Sequence, residues 1–131
     1  MIAITGTWQL VRTSSTAIEG SDMPPPYGGE KAMGRDVLNT DGRMMAVLID
    51  GRTELPDGVA REYTSYCGSY TFEGKKLITR VDAASDPARL GTDQVRDVHF
   101  EGELRVLRPP VNSYGGKDQQ RVMHWRKISD T

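Results

Sequence analysis

The sequence is short of the residues that make chemistry easy to read. It has one cysteine, Cys67, and two histidines, His99 and His124, in 131 residues. A lone cysteine excludes an internal disulfide and fits a reducing compartment. With only two histidines and one cysteine, a zinc site of the usual Cys/His kind is not expected, and no cofactor is expected either. Lys and Arg number 17 against 18 Asp and Glu, a net charge of −1. With no basic excess and no run of one sign, no nucleic-acid partner is expected. No apolar run approaches the ~20 residues of a membrane span. The opening Met1-Ile2-Ala3-Ile4 lacks the charged and apolar regions of a signal peptide, so the expected setting is cytoplasmic and away from membranes. Ser/His/Asp spacing and a phosphate-cradling glycine loop are missing too. At this length one core and one domain, 1–131, are expected.

What the chain does have is short β-leaning runs separated by turn signals. Ile4 to Thr13 reads as a strand around Gly6-Thr7-Trp8, whose indole offers about 150–250 Å² to bury. Ser14 to Lys31, with Pro24-Pro25-Pro26 before Tyr27-Gly28-Gly29, reads as a long loop of the lid or Ω type. Ala32–Thr40 and Arg43–Asp50 flank Asp41-Gly42, a strong hairpin signal. Val59 to Ser65 suggests one or two helical turns, leading into Tyr66 to Phe72, where aromatic and small residues alternate. Lys76–Ala84, Gln94–Glu101, Glu103–Arg108 and Arg121–Ile128 complete eight strands, joined mostly as consecutive hairpins. Such a meander removes its edges by closing into an eight-stranded up-and-down antiparallel β-barrel, all-β with one short helix. A β-sandwich is the structural alternative, disfavoured because sandwiches use Greek-key crossings.

Five segments in order then resemble one family. Gly6-Thr7-Trp8-Gln9-Leu10-Val11 looks like the opening strand of calycins. Gly34 to Met44, ending Asn39-Thr40-Asp41-Gly42-Arg43-Met44, resembles the bacterial and fungal lipocalin-like domain family. So do Tyr66-x-Gly68-x-Tyr70, Ser85-Asp86-Pro87 and Met123-His124-Trp125-Arg126. The resemblance implies a barrel around a pocket for a small, largely apolar molecule; lipocalin-like barrels also include a few isomerases and cyclases. This chain departs from the pattern at Asp36, where the family usually has an apolar residue, at Leu38, where it has an aromatic, and at Arg80, where it often has histidine.

Period-two alternation selects the lumen side chains. Trp8 and Leu10 point in on the first strand, and the family spacing places Gly34, Asp36 and Leu38 inward on the second. Met44, Leu48, Tyr66, Tyr70, Phe72, Arg80, Arg96, Phe100, Met123 and Trp125 complete the expected lining. That is an apolar wall with a few polar groups, the usual make-up of a ligand site. The expected ligand contacts are Leu38, Met44, Tyr66, Tyr70, Arg80, Arg96, Phe100 and Trp125. Two arginines against Asp36 leave a positive charge unmatched, so the expected ligand is hydrophobic or amphipathic with a carboxylate, enolate or phenolate. The alternative is a small cofactor-independent isomerase, cyclase or lyase in the same pocket. There Asp36 would shuttle a proton while Arg80 and Tyr70 stabilise an oxyanion. A third reading is an interaction module: Met45, Val47 and Ile49 form an apolar outer face suited to a homodimer unless the turn near Val59 covers it. His99, His124 and Cys67 fall on the outward parity, and Trp8, Trp125 and Arg126 are expected to close one barrel end.

Overall fold

The computed structural model describes residues 3–114 and 116–131. It contains β1 (Gly6–Ala17), β2 (Asp22–Met23), β3 (Met33–Leu38), β4 (Arg43–Ile49), β5 (Tyr63–Glu73), β6 (Lys76–Ala84), β7 (Asp93–Glu101), β8 (Leu104–Arg108), β9 (Asn112–Tyr114) and β10 (Lys117–Ser129). The hydrogen-bonded order is β2-β1-β3-β4-β5-β6-β7-β8-β10-β9, with β1 also paired to β10 along Thr7↔Ser129 to Ala17↔Gln119. Eight strands therefore form the closed barrel, while β2 and β9 are short flaps on β1 and β10. Every barrel pair is antiparallel, so backbone donors and acceptors are satisfied around the ring without a free edge.

The hairpin around Asp41-Gly42 forms as expected, with Gly42 at φ +87°, a region glycine enters at no steric cost. Gly68 is required for a different reason. The β5–β6 register shifts between Cys67 and Gly68, and a Cβ at Gly68 would lie 1.9 Å from the Arg80 carbonyl oxygen. A second bulge in β1, between Leu10 and Arg12, changes which side chains point inward. Gly6, Trp8 and Leu10 are buried before it, and Thr13, Ser15 and Ala17 after it.

Three local expectations are corrected. The segment read as loop from Ser14 begins as strand, because β1 stays paired with β10 through Ala17. Its remainder folds into a 3-10 segment, Pro26–Lys31, in which Tyr27 takes φ 57°. Residues 59–62 form no helical turn; the 3-10 segment Pro26–Lys31 is interrupted by non-helical backbone at Tyr27, Gly28 and Gly29, and Pro87–Arg89 is a single 3-10 turn whose Asp86 side chain accepts from the Ala88 amide at 3.0 Å. With no helix there, Met45 and Val47 stay exposed on the outer face. Among the described residues no helix is long and apolar enough to cross a membrane.

The core fills the lower barrel. Trp8, Leu10, Leu38, Met44, Leu48, Leu77, Val98, Leu107 and Trp125 are buried there, with Tyr66, Tyr70 and Phe72 packed against them. The Trp8 indole donates to the Ile4 carbonyl at 3.0 Å. Tight turns at 39–42, 74 and 102 lie at this end, and the longer connections lie at the other.

Candidate functional site

The site is the space left above that core. A crevice of about 60 Å³ is lined below by Asp36, Met44, Ala46, Leu48, Leu77, Leu107, Met123 and Trp125. Tyr27, Thr64, Tyr66, Arg89, Arg96, Pro109, Tyr114 and Arg121 form its walls and mouth. A benzene ring fills a cavity of about 150 Å³, more than twice the volume of this crevice. A ligand larger than water therefore enters by displacing side chains at the mouth.

The mouth is cationic. Arg89 Nη1 donates to Gln94 Oε1 at 2.6 Å and Arg96 Nη2 to the same oxygen at 3.0 Å, so one neutral acceptor is shared by two guanidiniums. Arg96 also donates to the Val95 carbonyl at 2.9 Å. Arg89 lies 5.7 Å from the Tyr66 ring centre, and Arg121 stacks 3.5 Å over Tyr114. Glu62 accepts from Arg121 at 3.3 Å and from the Tyr27 amide at 3.0 Å. Arg121 Nε is buried with no partner among the described residues. The Tyr27 hydroxyl donates to Thr64 Oγ1 at 2.8 Å, and burial pushes its pKa up, so the phenol stays neutral.

The floor has different electrostatics. Asp36, on β3 opposite Trp8 of β1 and Ala46 of β4, forms an ion pair with Arg105 Nη2 of β8. The Arg105 guanidinium lies 4.3 Å from the Trp8 ring centre and 5.2 Å from that of Trp125. Neither member of the pair is solvated: the side chains are 0% and 2% exposed. Burial raises the Asp36 pKa against the opposing pull of Arg105.

These positions sort the expected site residues. Met44, Tyr66, Arg96 and Trp125 line the crevice, as does Asp36. Leu38 is buried in the core beneath it, and Phe100 lies at the closed end, 6.5 Å from Trp8 between ring centres. Tyr70 is tied to the β3–β4 turn, where its hydroxyl donates to the Asn39 carbonyl at 2.7 Å. Arg80 is outside the barrel. On β6 the buried set is Leu77, Thr79 and Val81, and the exposed Arg80 pairs with Asp93 at 3.3 Å. A strand of period two has two faces, and on β6 the inner one carries Leu77, Thr79 and Val81 while Arg80 is on the outer one. The trio Asp36, Arg80 and Tyr70 is therefore not assembled. The outward parity of His124 holds, but its side chain is only 12% exposed, and burial lowers its pKa.

Three arginines of this region, Arg89, Arg105 and Arg121, are absent from the residues expected of the lumen. Arg105 carried a visible signal, a lone charge inside the apolar run Leu104-Arg105-Val106-Leu107. It takes the barrel-closing role that had been given to Arg126. Arg89 and Arg121 had none, since each reaches the mouth only because the barrel closes.

The comparisons with known proteins agree with this architecture. The chain is 30% identical over 92 residues to the 4'-hydroxy-3'-methoxypropiophenone carrier protein of Aspergillus oryzae, covering 62% of this chain and 81% of the relative. No solved structure matches. The family model described as a lipocalin-like domain matches residues 5–128, nearly the whole barrel, and the chain belongs to that family.

Proposed function

We propose that the barrel binds a small, largely apolar molecule whose carboxylate, enolate or phenolate stays at the mouth. The observation that carries this reading is the contrast along the crevice: Met, Leu and Trp side chains below, and Arg89, Arg96 and Arg121 above with Glu62 as their nearby carboxylate. Guanidiniums keep their charge at any physiological pH, and planar forks suit a carboxylate. Here their existing acceptors are one amide oxygen, one backbone carbonyl and one shared carboxylate, so a ligand anion would meet donors not fully used. The relative's name gives a hydroxy- and methoxy-substituted aryl ketone as its cargo, a molecule of the expected size class with oxygen at its ends.

The test is a titration of phenylpropanoate and of its neutral amide, followed by tryptophan fluorescence. Trp125 lines the crevice and reports filling of it. Arg96→Met and Arg121→Met should each weaken the acid about tenfold, the worth of a charge-assisted hydrogen bond, and leave the amide nearly unchanged. Equal affinity of wild type and both variants for the acid would end this reading.

A further inference from the structure

We propose that Asp36 is a recognition point for a hydroxyl group at the lumen floor, so that the ligand is a hydroxyaryl acid held hydroxyl-down. This inference rests on the lumen-binding reading above and specifies its ligand. Asp36 lines the crevice, yet only Oδ2 is bonded, to Arg105; Oδ1 is buried with no partner among the described residues. A buried carboxylate oxygen without a donor is costly, because water has been removed and nothing has replaced it. Arg105 cannot relieve it by turning. Its guanidinium is confined between Trp8 and Trp125, and its Nε and Nη1 are themselves without partners.

Arg105 nevertheless decides the chemistry of the site. Its charge cannot be discharged, and Asp36 is the anion beside it, so proton uptake by Asp36 would leave a bare cation between two indoles. Arg105 thus opposes the rise that burial imposes on the Asp36 pKa, and in the ion-paired form Oδ1 accepts hydrogen bonds and donates none. The Trp125 indole N–H at the same floor is also buried with no partner among the described residues, so the complementary ligand group both donates and accepts, and an aromatic or aliphatic hydroxyl is the smallest uncharged group that does. Ala46, paired with Asp36 across the β3–β4 ladder, also lines the crevice, and a ligand hydroxyl reaches Oδ1 as the incoming ring displaces the side chains that cover it. Met44, Leu77, Leu107 and Trp125 around it keep the surroundings dry, which strengthens any hydrogen bond made there. With an acid group held at the arginine mouth, the hydroxyl at the opposite end of an aryl ligand is the part that reaches the floor.

Calorimetric or fluorescence titration of para-hydroxyphenylpropanoate against phenylpropanoate tests this directly. Wild type should bind the hydroxylated probe about tenfold tighter, the return for satisfying a charged acceptor. The doubly substituted Asp36→Leu/Arg105→Met protein, in which apolar side chains replace the whole pair, should show a ratio near one whatever its affinity for phenylpropanoate. A ratio near one in wild type, with both probes bound, overturns the hydroxyl site while leaving lumen binding intact, and needs no variant. An undiminished ratio in the double variant overturns it as well. Failure of wild type to bind either probe removes the lumen reading, and this inference with it.

Discussion

Asp36 and Asp50 are each 2% exposed, and the two carboxylates differ in depth as well as in partners, Asp36 lying inside the barrel and Asp50 just beneath the surface. Asp50 follows β4 at the open end and is fully engaged. Its Oδ1 accepts from the Arg52 amide at 3.0 Å, and its Oδ2 from Arg52 Nη2 at 2.6 Å, with Nε bridging both. These bonds hold its pKa below the ordinary 3.8. Asp36 has a single donor for one of two oxygens, and burial dominates, so its pKa rises. Asp50 is thus a joint of the scaffold, and Arg61 adds to it by donating to the Asp50 carbonyl at 2.6 Å. Asp36 has an acceptor to spare. A buried carboxylate is a candidate for binding only when its hydrogen-bond capacity is unfilled.

The largest expected effect comes from breaking the Asp36–Arg105 pair on one side. Arg105→Met should lower stability by about 3–5 kcal/mol in urea unfolding, since it leaves a buried anion uncompensated. Adding Asp36→Leu should recover most of that loss, because replacing a buried pair by apolar groups is often neutral or better. A single variant as stable as wild type would show that the pair is solvated after all. Asp50→Ala comes next. It should cost about 1–3 kcal/mol and raise amide exchange in the loop joining β4 to β5, because Arg52 and its amide lose their acceptor.

Acid titration separates the two aspartates by sign. The folded pKa of Asp50 is depressed, so its contribution is complete above the unfolded value of 3.8 and is lost as pH falls through the folded value. Asp36, raised from the same 3.8, works the other way, contributing most below that value and less as pH rises through its folded pKa. Asp50→Asn should therefore flatten the acid limb of the stability profile; an unchanged limb would contradict the assignment. The smallest effect is expected at Arg80→Met, an exposed side chain in a surface pair with Asp93. Stability should stay within about 0.5 kcal/mol and aryl-acid affinity should not move. A loss of affinity there would return Arg80 to the lumen.

Much of this barrel could be read from the chain, and particular residues show where reading stopped. Hairpin chemistry at Asp41-Gly42 and Gly102, and the alternation around Tyr66 to Phe72, marked strands that the structure contains. At Arg80 the pattern was sound and the choice of face was not, because alternation is silent on which face is inside. At Ser14 to Ala17 polar residues concealed a strand whose partners, Gln119 to Val122, lie about a hundred residues away.

Local sequence by itself determined the all-β class, the number of barrel strands and the positions of most turns, since these follow from side-chain periodicity and backbone preference over a few residues. Tertiary structure alone decided the site. Asp36 meets Arg105 across 69 positions, and Arg121 meets Glu62 across 59. Charges so far apart in sequence become partners only through closure of the ring, and closure also determines which carboxylate oxygen is left without a donor.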